Sequence, residues 1–149
     1  MGITVIDALR GEHGVFHGLF DLWEKSVDSM SELGRLREIG DVIGNALSVH
    51  AQVEDELLFS TLESLMGPNG PIARMRFEHN QIDKLLDQAR RSDSLEQHRA
   101  IVRELLAITR EHFQKEEHVL FHLAQQFIGD QQLGQLGVAW SRRRSVAID

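Results

Sequence analysis

The stretch HFQKEEHVLFHLA (112–124) sets His112 and Glu116 one helical turn apart amid Val119, Leu120, Phe121 and Leu123. A segment with the apolar period of a buried helix thus carries titratable groups on its inner side. HAQVEDELLF (50–59) repeats the H-x-x-x-E spacing with His50 and Glu54. Outside these stretches, the two prolines both fall in MGPNGP (66–71), and β-branched alternation is scarce. Helical periods dominate, and the pattern predicts an all-α protein. The first helix runs from about Thr4, an N-cap with Asp7 three residues on, to about Val27. The second follows DSMSELG (28–34) and continues to about Met66, and the third spans about Ile72 to Arg90. The fourth starts at Ser94, in a capping box with Gln97, and ends near Gly129. Short links make these an up-down-up-down four-helix bundle over about residues 5–128. The chain reads as one domain, 1–149, whose extension 129–149 has room for a short C-terminal helix.

The expected core stripe of the second helix is Ile39, Ile43, Ala46, Val53, Leu57 and Leu65. That of the fourth is Ile101, Leu105, Ile108, Val119 and Leu123. At about 100° per residue, each helix also turns one histidine inward: His13, His50, His79 and His112. The residues four positions on share those faces: His17, Glu54, Asp83 and Glu116.

In an antiparallel pair, residues at one level are equidistant from the connecting turn. The midpoint of 13 and 50 is 31.5 and that of 79 and 112 is 95.5, both on predicted turns. The midpoint of 50 and 79 is 64.5, short of MGPNGP, so the second helix must end early or its loop must double back. Four inward histidines and two inward glutamates are no dry core. One unpaired buried carboxylate costs several kcal/mol, and two together repel or retain a proton. Two divalent ions bridged by Glu54 and Glu116 remove the conflict, one capped by His13 and His50, the other by His79 and His112. His98 faces inward too, but 14 residues before His112 puts it roughly 21 Å away. Glu117, His118 and His122 read as bystanders.

Composition narrows the chemistry. With no cysteine, any metal must be held by nitrogen and oxygen, which favours iron, manganese or zinc on His and carboxylate. With no tyrosine, a tyrosyl radical is excluded. A net charge of −7 disfavours nucleic acid or an anionic membrane as partner, with Arg142–Arg144 as a local exception. No apolar run reaches about 18 residues and no signal-like leader is visible, so a cytoplasmic location is the expectation. Gly11, Gly14 and Gly18 form a stripe of their own, which suits a close neighbour, either the terminal segment with Trp140 or a second subunit in a homodimer.

With EHGVFHGLFDLWE (12–24), HAQVEDELLF (50–59), EHNQIDKLL (78–86) and HFQKEEHVLF (112–121) in this order, the chain resembles the hemerythrin-like, or HHE, family over about residues 5–128. The resemblance implies a non-haem centre of two iron ions, oxo- or hydroxo-bridged, on His13, His50, Glu54, His79, His112 and Glu116. His17 and Asp83 lie outside the family's shared positions. The oxygen carriers have HxxxH on the third helix and HxxxxD on the fourth, whereas Met75 and HxxxE stand here. The chain is therefore similar to the six-ligand bacterial subgroup. The implied function is uptake of O2 or a related small ligand, in oxygen or redox sensing or iron handling. The alternative is an enzyme consuming H2O2 in a catalase-like way or acting on NO. Ferritin-like Glu-x-x-His pairs are absent from the sequence.

Overall fold

The computed structural model describes residues 2–148; their regular structure is all helix, with no strand among the described residues. Helix α1 is Val5–Ser29. Thr4 caps it in a reciprocal box: its hydroxyl accepts from the Asp7 N–H at 3.2 Å, and the Asp7 carboxylate accepts from the Thr4 N–H at 2.9 Å. Helix α2 covers 33–66 and α3 is Pro71–Arg91, with Pro71 opening its first turn. Gly67 and Gly70, at φ of 88° and 73°, turn the chain between α2 and α3. Helix α4 covers 95–127. Ser94 caps it by accepting from the Gln97 N–H at 3.1 Å, but the Gln97 side chain accepts from Asp93 instead of completing the expected box. Helix α5, Asp130–Arg144, lies across α1.

Around the bundle each of α1 and α3 packs on both α2 and α4, the neighbour pattern of the expected up-down-up-down arrangement. The core is divided. One cluster, with Phe20, Trp23, Leu36, Leu86 and Leu105, fills the end near the α1–α2 and α3–α4 links. A second, with Ile6, Leu58, Leu62, Ile72 and Phe121, fills the end capped by α5. The histidines and glutamates lie between them, so the polar layer is sealed from both ends by apolar side chains.

Helices α2 and α4 depart from a regular α-helix at corresponding places. Within α2, Glu54–Phe59 is a π-helical turn, closed where the Ser60 N–H donates to the Asp55 carbonyl five residues back. Within α4, Glu116–Leu120 is another, closed by the Phe121 N–H on the Glu116 carbonyl. Each turn starts at the glutamate of an H-x-x-x-E motif, and π turns of this kind frequently mark functional sites. They also rotate everything beyond them. The stripe predicted to continue through Leu57, Leu65, Val119 and Leu123 is corrected: Leu65 and Val119 are 51% and 52% exposed, and Leu58, Leu62, Leu120 and Ala124 are buried in their place. Earlier on α2, the exposed Ala46 gives way to Leu47.

The register problem at the α2–α3 link also resolves differently from either expectation. Helix α2 does not end early, nor does the loop double back. His79 stands beside Asp55 and Glu54 instead of level with His50, with Nδ1 at 3.1 Å from Asp55 and Nε2 at 3.5 Å from Glu54. The four histidines therefore form two neighbouring pairs, His13 with His50 at 5.0 Å and His79 with His112 at 4.7 Å between ring centroids.

Candidate metal centre

His13, His50, Glu54, His112 and Glu116 are at most 1% exposed and His79 is 6% exposed. Their donor atoms converge. Glu54 lies 3.1 Å from His50 Nε2, 3.5 Å from His79 Nε2 and 3.9 Å from His13 Nε2. Glu116 lies 3.4 Å from His13 Nε2 and 3.3 Å from His112 Nε2. Two groups result, His13–His50–Glu54–Glu116 and Glu54–His79–His112–Glu116, in each of which the four donor atoms lie within 4.8 Å of one another. Around one ion with bonds of about 2.1 Å, opposite donors stand about 4.2 Å apart. Both groups have the spread and the N/O chemistry of a cation site, and they share both carboxylates.

The polar bookkeeping points the same way. All four oxygens of Glu54 and Glu116, together with Nε2 of His13, His50 and His112, are buried without a hydrogen-bond partner. Such a concentration of unpaired groups is strongly unfavourable in a sealed layer unless a cation takes them up. Protonation balances part of the charge otherwise. Burial, and then the charge of Glu54, push the Glu116 carboxyl well above the usual range. Burial opposes ionisation of Glu54 too, but the charge of His50 and the nearby Glu116 and His79 hold it well below that range. Against burial, Glu54 and Glu12 push His50 up to about 9, and Asp55 and Glu54 push His79 up to about 9. Burial brings His13 down to about 3 and His112 down to about 4, with neighbouring histidines adding to both shifts.

Behind the cluster lies an arrangement that the sequence reading missed. The Nδ1 of each histidine faces a carboxylate from the adjacent helix: His50 faces Glu12 at 2.8 Å, His79 faces Asp55 at 3.1 Å, His112 faces Glu78 at 3.5 Å and His13 faces Glu117 at 3.9 Å. The circuit runs α1 to α2, α2 to α3, α3 to α4 and α4 back to α1. At His50 and His79 the contact is a hydrogen bond, and a carboxylate accepting from Nδ1–H leaves Nε2 free to face inward, the tautomer a metal-bound imidazole needs; Nδ1 of His13 and of His112 is near its carboxylate without a hydrogen bond. Cations back three of these acids: Arg144 on Glu12, Arg76 on Asp55 at 3.7 Å and Lys115 on Glu78 at 3.2 Å. Glu117, read as a bystander, borders the cluster at 3.9 Å without a hydrogen bond to it. The available signal was adjacency, because each outer acid directly precedes or follows a clustered residue: Glu12–His13, Glu54–Asp55, Glu78–His79 and Glu116–Glu117.

Aromatic rings close the layer. Phe113 stacks on His13 at 3.8 Å between centroids, Phe59 on His79 at 5.1 Å and Phe121 on His13 at 5.6 Å. Phe59 and Phe121 each lie five residues after a clustered glutamate, so the π turn carries them onto the face that meets a histidine. A narrow slot of about 10 Å³ between α2 and α3 touches His50, Glu54, His79 and His112, about the least room that holds one water.

The remaining candidates fall elsewhere. His17 and Asp83, both expected to face inward, are exposed and belong to neither group, though Asp83 lines the slot. His118 and His122 are exposed. His98 is buried in the far apolar end, its Nδ1 2.9 Å from Ser92 Oγ and 3.1 Å from the Ala89 carbonyl. Nothing lies within 4 Å of a Cβ built on Gly11, Gly14 or Gly18, so the terminal segment does not cover that stripe; its close approach is at Gly137.

A divided bundle whose buried waist is a His/Glu cluster of this kind is the build of a metal-binding helical protein. The chain belongs to the hemerythrin HHE cation-binding domain family, which it matches over residues 4–124. It is also similar to a protein named DNA nickase from Nostoc sp. (strain PCC 7120), with 25% identity over 144 residues. That match takes in 96% of this chain and 40% of the relative, so the chain spans well under half of that protein's length. No solved structure matches the chain.

Proposed function

We propose that the chain holds a non-haem di-iron centre that takes up O2 or a related small ligand, in oxygen or redox sensing or in iron handling. His13 and His50 would hold one ion and His79 and His112 the other, with Glu54 and Glu116 bridging. The carrying observation is the set of buried, unpartnered carboxylate oxygens and imidazole Nε2 atoms, all aimed at one another. When bound, a pair of redox-active ions supplies electron exchange with oxygen or peroxide and two Lewis-acid positions. The chain's own part is to hold the donors, to exclude water with Phe59, Phe113 and Phe121, and to fix the tautomers of His50 and His79 through Glu12 and Asp55. The narrowness of the slot is in keeping with a ligand no larger than a few atoms, such as O2, H2O2 or NO.

The activity in the Nostoc relative's name stays with that protein. Here the chain carries −7, and Arg143 and Arg144 are engaged by Glu56 and Glu12, which does not favour a nucleic-acid surface on α5.

Metal analysis of protein purified without chelator tests the reading. Two irons per chain are expected, lost on combining His50→Ala with Glu54→Ala; well under one iron per chain refutes it. Adding H2O2 to the loaded protein then separates the two functional outcomes. A single stoichiometric spectral change is expected of a sensor, and sustained oxygen release would replace that role with a peroxide-consuming enzyme.

A further inference from the structure

The family match ends at residue 124, yet α5, which follows it, reaches the polar layer. Trp140 Nε1 donates to Glu12 Oε2 at 2.6 Å. Arg144 grips the same carboxylate with both arms of its fork, Nε to Oε2 at 2.7 Å and Nη2 to Oε1 at 2.8 Å. Oε1 is also the atom facing His50 Nδ1 at 2.8 Å. One carboxylate therefore joins the terminal helix to an imidazole of the cluster, held by three donors on its outer side and aimed by them at the fourth.

The seat of α5 gives this clamp its accuracy. At Gly137, two turns before Arg144, the helix lies so close to the start of α1 that an added Cβ would stand 2.3 Å from the Ile3 carbonyl oxygen. Leu133, 1% exposed, anchors the preceding turn in the end cluster. A planar guanidinium in bidentate contact holds a carboxylate in orientation as well as position. The other outer acids lack such a hold, since Asp55 and Glu78 meet their cations at 3.7 Å and 3.2 Å.

Building on the metal-centre reading, we propose that Arg144 and Trp140 are positioning residues for that centre: they lock Glu12 so that it presents His50 Nε2 to the ion shared with His13. Binding free energies are reciprocal. If α5 tightens ion binding, the ion tightens the docking of α5 by the same factor, and the terminal helix reports the state of the centre.

The test uses the full chain, stripped of metal and titrated with Co(II) by visible absorption, with helix content checked by circular dichroism. Wild type takes up two ions. Arg144→Ala and Trp140→Phe each weaken one of the two by about 10–100-fold, the usual effect of removing support behind a ligand, and leave the other within about twofold. Arg143→Ala removes the other ion pair of α5, with Glu56, and leaves both ions within about twofold. Co(II) loading also slows amide hydrogen exchange over 130–144 in wild type and does so less in Arg144→Ala. The inference is overturned if Arg144→Ala binds both ions as wild type does, if Arg143→Ala weakens binding equally, or if loading leaves exchange in α5 unchanged. A wild-type chain that takes up no Co(II) overturns the metal-centre reading itself.

Discussion

Replacing Leu62 and Leu65 separately with alanine decides whether the π turn of α2 sets the bundle's register. The two leucines stand three residues apart on the same helical segment, Ser60–Met66. A regular α-period carried through His50 turns Leu62 about 120° away from it; the extra residue of the π turn brings Leu62 to within about 20°, where it is 0% exposed, while Leu65, at the end of the helix, is 51% exposed. Truncating a fully buried leucine removes its transfer free energy and leaves a cavity, about 2–5 kcal/mol in total. A surface truncation stays within about 0.5 kcal/mol. In a chain of this length about 1 kcal/mol moves the melting temperature by roughly 2–4 °C. Leu62→Ala should therefore melt about 4–20 °C below wild type, and Leu65→Ala within about 2 °C of it. Both are measured by calorimetry in the presence of chelator, so that metal binding does not mask the packing term. A Leu65→Ala loss equal to or larger than that of Leu62→Ala would refute the rotated register, and with it the reason Phe59 meets His79.

Glu54→Gln removes a donor from both groups of the cluster. Ion loading should fall below one per chain. Two sites each at about 100-fold excess over Kd stabilise by about 5 kcal/mol, so the wild-type rise in melting temperature of about 10–20 °C on metal addition should disappear. Two glycines give opposite responses to alanine. Gly14 has open space around a new Cβ, and Gly14→Ala should stabilise by up to about 1 kcal/mol, whereas Gly137→Ala meets the Ile3 carbonyl and should unseat α5. Loss of stability in Gly14→Ala, by urea unfolding, would show that a second copy covers that face. Burial, followed by smaller contributions, lowers the pKa of His98, so the folded chain resists a proton that the unfolded chain accepts at about 6.5. Stability should then fall as pH drops below about 6.5, and urea unfolding of His98→Gln should show a shallower slope from there to about pH 5.

The sequence determined a good deal by local rules. Helix ends followed from Thr4, Ser94 and the Gly/Pro link at 67–71, since capping needs only residues a few positions apart. Four of the six clustered residues were legible because H-x-x-x-E fixes two groups on one face whatever the helix packs against, and His13 and His79 because each lies on the apolar stripe of its own helix. Periodicity failed beyond Glu54 and Glu116, where the π turns admit an extra residue, and the positions expected at Leu57 and Val119 passed to Leu58 and Leu120. His17 and Asp83 failed for a related reason: four residues on is still about 40° away, and neighbouring helices decide whether that flank is buried. The contact of His79 with Asp55, the circuit of outer acids and the reach of Arg144 to Glu12 came only with the tertiary structure. Each is a contact between helices, and its register depends on where whole faces come to rest. Sequence alone thus specified the helices and the candidates for their inner faces, and packing decided which of those are buried, which meet and what holds them there.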